Sequence, residues 1–186
     1  MAYPGAAFMV VPGGFSFPML TFITFTTDYD PIEDRIRLVG RDAAGATAKV
    51  WLNFRMLQFL LPPLFAWFET MPPTLSDSTA RHEQQFRQSP AYAAITPQAP
   101  VVATPSGAEW LAVSVDYTTS AGGLRLVFKD QAGFAQAAIV FDHHEFRQWL
   151  GIVHQLWAAA GWSQTIWPQW IQNPDDAAGE PPLMIN

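Results

Sequence analysis

The feature that most constrains this chain is a repeat within it. Asp28-Tyr29 recurs as Asp116-Tyr117, and Arg37-Leu38-Val39 recurs as Arg125-Leu126-Val127. Arg41-Asp42-Ala43-Ala44-Gly45 recurs as Lys129-Asp130-Gln131-Ala132-Gly133. Every pair is separated by 88 residues without a gap, and eight of the 18 positions from Asp28 to Gly45 are identical to their partners. Self-similarity at one fixed spacing points to two structural units of the same kind.

Each copy predicts the same series of elements. An alternating strand comes first, Thr21 to Thr27 and Leu111 to Tyr117. A second strand follows, Arg35 to Val39 and Leu124 to Phe128, and then an Asp/Gly turn at Asp42–Gly45 and Asp130–Gly133 of the sort that closes hairpins. The third strand is Ala48 to Asn53 and Gln136 to Phe141. A helix closes each copy. The second is marked by Asp142 and Glu145 as a capping box, by Phe146, Trp149, Leu150, Val153 and Trp157 at helical spacing, and by Gly161 as a stop. The first, Phe54 to Thr70, contains Pro62-Pro63, which is expected to kink or split it, and its apolar residues cover every side. The expected fold is α+β: two βββα units forming a pseudo-twofold antiparallel-sheet domain with the helices packed on one side.

The units divide the chain. An apolar Pro/Gly-rich arm spans 1–20, the first unit 21–70, a Pro/Ser/Thr/Ala linker 71–107, the second unit 108–161, and a Trp-rich arm with a polar tail 162–186. A short helix is expected near Thr79–Gln88. At the level of topology the plan is similar to PUR-type and Whirly-type nucleic-acid binders, which repeat sheet-plus-helix units of comparable size; no residue motif of either is matched.

Composition narrows the chemistry. The chain has 186 residues and no cysteine, which excludes disulfides, Cys-ligated metals and thiol nucleophiles. Charged residues are 14% of the total, against about 25% in typical domains, and the net charge of −6 gives no general attraction to polyanions. No Lys or Arg precedes Arg35, and Pro and Gly interrupt the apolar N-terminus, so no secretory signal is read and a cytoplasmic location is expected. The longest apolar run, Met56 to Phe68, is too short to span a membrane. No metal or cofactor is called for: His143, His144, Glu145 and His154 lack the spacing of a helical metal site and read as a helix start with exposed imidazoles. Asp28 and Asp116 read as strand-end turn caps rather than an acid–base pair.

Two groups of residues are candidates for binding. Trp162, Trp167 and Trp170 lie in an irregular segment. With Phe65 and Phe68 of the first helix they read either as core packing or as a docking surface for a protein partner or a second copy, since Trp is enriched at binding hot spots. Arg35, Arg37, Arg41, Arg125 and Lys129 share one face of the second strands. That face, with Tyr29 and Tyr117 to stack bases, is the candidate nucleic-acid surface; its alternative is a solvated face balanced by Asp30, Glu33, Asp34 and Asp130. Scarce charge, an all-round apolar helix and apolar arms lead to a non-enzymatic accessory or scaffold subunit acting through protein–protein interaction. A nucleic-acid-binding module is the alternative, and an enzyme with a site between the two units is third.

Overall fold

The computed structural model describes residues 19–70, 99–105, 107–120 and 122–172. The arm before residue 19, the helix expected near Thr79–Gln88 and the tail after residue 172 lie outside them. Seven strands form one sheet: β1 (Leu20–Asp30), β2 (Arg35–Asp42), β3 (Thr47–Asn53), β4 (Ala108–Leu111), β5 (Ser114–Ser120), β6 (Gly123–Lys129) and β7 (Ala135–Phe141). Helix α1 (Phe54–Glu69) follows β3, and α2 (His143–Ala159) follows β7. A 3₁₀ turn (Gln164–Ile166) and the short α3 (Gln169–Gln172) complete the chain order.

The strands run β4-β3-β2-β1-β7-β6-β5 across the sheet. Two antiparallel meanders, β1-β2-β3 and β5-β6-β7, are joined by a parallel contact of β1 with β7 at Leu20–Phe22, and β4 adds to β3 in parallel. The expected antiparallel sheet is therefore mixed. The reason is that the junctions between meanders pair segments remote in sequence, which local alternation does not register. The end strands β4 and β5 are consecutive in the chain, parted only by Ala112 and Val113. Ala112 N–H donates to the Trp51 carbonyl on β3, and Val113 N–H donates to the Lys129 carbonyl on β6. One short crossing thus ties both ends of the sheet and curls it.

Alternation decides which side is buried. Ile36 and Leu38 on β2, Val50 and Leu52 on β3, and Leu124, Leu126 and Phe128 on β6 are all fully or almost fully buried, and Arg35, Arg37, Arg125 and Lys129 alternate with them on the outer side. Both helices press onto the inner side and share one core with it. Helix α1 begins where Asn53 Oδ1 accepts from Met56 N–H, and α2 begins at the expected capping box, with Asp142 and Glu145 each accepting the other's backbone N–H.

Neither a split of α1 nor its enclosure on every side is found. The helix runs unbroken through Pro62-Pro63. Pro62 and Pro63 deprive the carbonyls of Gln58 and Phe59 of their helical donors; Phe59 is 69% exposed, while Leu57, Leu60, Leu61 and Leu64 hold the opposite side in the core. The helix is also not enclosed: Arg55, Phe59 and Ala66 face outward.

The turns after β2 and β6 are built alike. Asp42 Oδ1 accepts from Ala44 and Ala46 N–H, and Asp130 Oδ1 accepts from Ala132 and Phe134 N–H. Gly45 (φ 88°) and Gly133 (φ 82°) take the left-handed position that each turn requires. The hairpins before them differ. Four residues, 31–34, link β1 to β2, but only two, 121–122, link β5 to β6. Asp28 consequently faces Arg37, whereas Asp116 faces Val127.

Gly40 and Gly45 predict a distinction between two kinds of strain. A Cβ on Gly40 would lie 2.1 Å from the Phe22 ring, whereas one on Gly45 would meet nothing within 4 Å. Gly40→Ala is expected to cost about 1–3 kcal/mol by overpacking, and Gly45→Ala about 1–2 kcal/mol from its positive φ alone. Urea unfolding should show Phe22→Leu relieving part of the first loss and none of the second.

Candidate functional site

The aromatic residues considered for docking lie inside the protein. Phe65 and Phe68 are 5% and 0% exposed, and Trp167 and Trp170 are 3% and 5% exposed. The segment after α2 folds back so that Trp167 packs on Phe65 and Trp157, and Trp170 packs against Phe65 and Phe68. Trp162 is half-buried, edge-on to Tyr29, Phe54 and Trp157. Of the two readings open for these side chains, burial places them in the core. Periodicity describes a helix face, not what an irregular segment comes to cover.

Asp34 fastens this arm. It sits at φ 49° in the β1–β2 loop, a conformation that Asp tolerates better than most residues, and its Oδ1 accepts both Tyr29 O–H and Trp162 Nε1–H. The hydrogen bond to Asp34 raises the Tyr29 pKa above that of an ordinary phenol. Tyr29 is therefore engaged at both ring and hydroxyl. Tyr117 lies opposite the buried Leu126 yet is 43% exposed.

The basic face exists as a sheet surface, with Lys49 added to the five cations expected there. Its charge is largely met by acids on neighbouring strands. Arg37 is held by both oxygens of Asp28 (2.9 and 2.6 Å), Lys49 by Glu109 (2.8 Å), Lys129 by Asp116 (2.5 Å) and Arg35 by Glu33 (3.5 Å). Lys49 and Trp51 Nε1–H both donate to Glu109, which holds its carboxyl below the usual range. No carboxylate among the described residues pairs with Arg41 or Arg125. Trp51 stands among these charges, 6.0 Å from the Arg37 guanidinium and 5.5 Å from the Lys49 ammonium.

Of the acids expected to balance this face, only Glu33 does so. Asp30 caps the loop through Ile32 and Glu33 N–H, Asp34 holds the arm, and Asp130 builds its turn. Asp28 is an ion-pair partner within β1 rather than the strand-end cap expected. Asp116, on β5, likewise serves Lys129.

An apolar cluster that sequence reading missed lies on the same outer face where β1 meets β7. Phe22 pairs with Ile139, both buried, and the residues that follow them, Ile23 and Val140, are exposed just past the end of this pairing. Their exposures are 64% and 58%. Arg125 lies across from Val140, and its guanidinium approaches Met19 Sδ at 3.8 Å. Isolated Ile and Val residues in strands carry no sequence signal for this; only the β1–β7 pairing joins them.

The histidines separate. His143, expected to be exposed, is half-buried with its ring stacked on Trp67, because the first turn of α2 abuts the end of α1. His144 is exposed beside Gln148. His154 packs against Trp167, 3.1 Å from Gln164 Oε1, in a shallow cleft completed by Ala158, Gly161, Trp162 and Gln172. Among the described residues no group of three or more His, Asp or Glu is placed to hold a metal ion, and no helix is long and apolar enough to cross a membrane. No protein-family model, curated protein or solved structure matches the chain.

Two measurements check this arrangement. Trp167→Ala should cost about 3–5 kcal/mol in denaturant unfolding, as for a large aromatic removed from a core; a docking role would leave stability nearly unchanged. Burial lowers the His154 pKa, against the raising effect of its Gln164 contact. The folded state then binds fewer protons than the unfolded chain, so this contribution is present above about pH 6.5 and is lost on acidification. Between about pH 7.5 and about pH 5.5 the wild type should lose more stability than His154→Gln.

Proposed function

We propose that this protein is a non-enzymatic accessory subunit that binds a protein partner through the outer face of its sheet, centred on the β1–β7 seam. The observation that carries this reading is the cluster of Met19, Ile23, Val140 and Arg125. It sets exposed apolar side chains beside a cation for which no described carboxylate serves as partner. An apolar centre with Arg and a polar surround is the usual make-up of a protein–protein interface. Ion pairs neutralise most of the surrounding cations, and this favours a protein partner over a polyanion.

The two βββα segments are read as copies of one ancestral unit related by a pseudo-twofold. The 88-residue spacing and the matching Asp42 and Asp130 turns support that reading. The unequal first hairpins are, on this view, a later divergence.

Ile23→Lys combined with Val140→Lys should leave the fold intact, since both residues are largely exposed. It should abolish recovery of a stoichiometric, nuclease-resistant partner from native cells. Phe59→Lys, exposed on α1 away from the cluster, should retain that partner. Retention by the double variant would overturn the proposed surface.

Nucleic-acid binding is the second reading, favoured by Trp51 with its flanking Arg37 and Lys49 and by the cations Arg41 and Arg125. It requires salt-dependent binding of an oligonucleotide. Arg41→Ala with Arg125→Ala should lower the slope of log affinity against log salt by about 1.4–1.8, two released phosphate contacts. Absence of binding to single-stranded and duplex oligonucleotides at low salt would eliminate this reading.

A further inference from the structure

We propose that the open edge of β5 takes the β5 strand of a second copy of this chain, paired antiparallel about Tyr117. The inference rests on the strand edge and not on the exposed apolar residues Ile23 and Val140. Among the described residues, strand β5 ends the sheet order and pairs only with β6. It carries seven residues, Ser-Val-Asp-Tyr-Thr-Thr-Ser, without the Pro or Lys that commonly blunts an edge. Alternate backbone N–H and C=O groups of such a strand face away from its neighbour and need partners.

The corresponding stretch of β1 is covered by the chain itself. Thr26 Oγ1 accepts from Val101 N–H, Thr27 Oγ1 accepts from Trp149 Nε1–H, and Tyr29 is packed by Trp162. On β5 the residues Asp116, Tyr117 and Thr118 are all exposed.

The sequence of β5 suits its own copy. Antiparallel pairing about Tyr117 sets Asp116 opposite Thr118, Val115 opposite Thr119 and Ser114 opposite Ser120, so no like charges face each other. On the outer side, Thr118 is flanked by Arg125 of its own chain. That guanidinium would lie about 10 Å, two strand spacings, from the backbone of the other copy's Asp116, within reach of both side chains. The row on the inner side would read Leu126, Tyr117, Tyr117, Leu126, an aromatic cross-strand pair between buried leucines. A twofold pairing of this kind closes on itself and stops at a dimer.

Sedimentation velocity of the full chain over a range of concentrations tests this. The wild type should be a dimer that dissociates on dilution. Tyr117→Lys and Tyr117→Glu should each weaken self-association at least about tenfold by opposing like charges across the axis, with unchanged circular dichroism. Mixing the two variants should restore a one-to-one dimer, and Ile23→Lys with Val140→Lys should leave the dimer intact. A wild type that stays monomeric at every concentration would overturn the proposal and give the edge to other residues of the same chain; this holds even if the variants fail to fold. So would a dimer indifferent to both Tyr117 substitutions, or variants that fail to pair when mixed.

Discussion

Everything in this fold depends on the crossing at Ala112 and Val113. Seven strands in a mixed order would otherwise leave a long twisted sheet with two free ends. Here one chain segment leaves β3 and joins β6 within two residues. Ala112 is fully buried at that point. The curl that follows gives the sheet a single inner side, lined by Ile36, Leu38, Leu52, Leu124, Leu126 and Phe128, and both helices bury against it. The outer side carries the charged side chains of the sheet, Arg35, Arg37, Lys49, Arg125 and Lys129 among them.

The inner side is closed by aromatic packing. Trp149 and Trp157 of α2, Phe65 and Phe68 of α1, and Trp167 and Trp170 beyond α2 fill one continuous cluster. Large rings bury much area each and favour tilted or edge-on contacts, so a short irregular arm contributes as much to the core as a helix face does. Three indoles find acceptors, while the buried Nε1–H groups of Trp167 and Trp170 find none among the described residues. Trp149 donates to Thr27, Trp157 to the Ser163 carbonyl and Trp162 to Asp34. The Trp162 bond ties the arm to the β1–β2 loop, and the Trp149 bond ties α2 to β1.

Local patterns in the sequence carry most of the elements, but the strand expected over Leu111–Tyr117 is interrupted at Ala112 and Val113, where the chain passes from β4 to β5. The strand alternation of Arg35–Val39 and Leu124–Phe128, the Asp142–Glu145 box and the Asp42 and Asp130 turns all come from contacts within a few residues, and each appears where it was read. What the sequence did not disclose is non-local. The parallel pairing of Leu20–Phe22 with Ala137–Ile139 makes the sheet mixed and creates the Ile23–Val140 cluster, yet neither segment signals the other. Trp167 and Trp170 were ambiguous because an irregular segment has no periodicity from which to infer a covered side. Pro62-Pro63 does not split α1, whose Leu57, Leu60, Leu61 and Leu64 lie in the core on both sides of the pair.

The aromatic arm is buried, and the crossing sets the shape of the outer sheet surface, the face proposed for partner binding. Native-state hydrogen exchange at the Ala112 and Val113 amides tests that crossing most directly. The account requires both to exchange only through global unfolding, at the rate of the central amides of Ile36 and Leu126. Exchange at the rate of an exposed loop amide, with β2 and β6 still protected, would contradict it, because the crossing would then not tie the two ends of the sheet together.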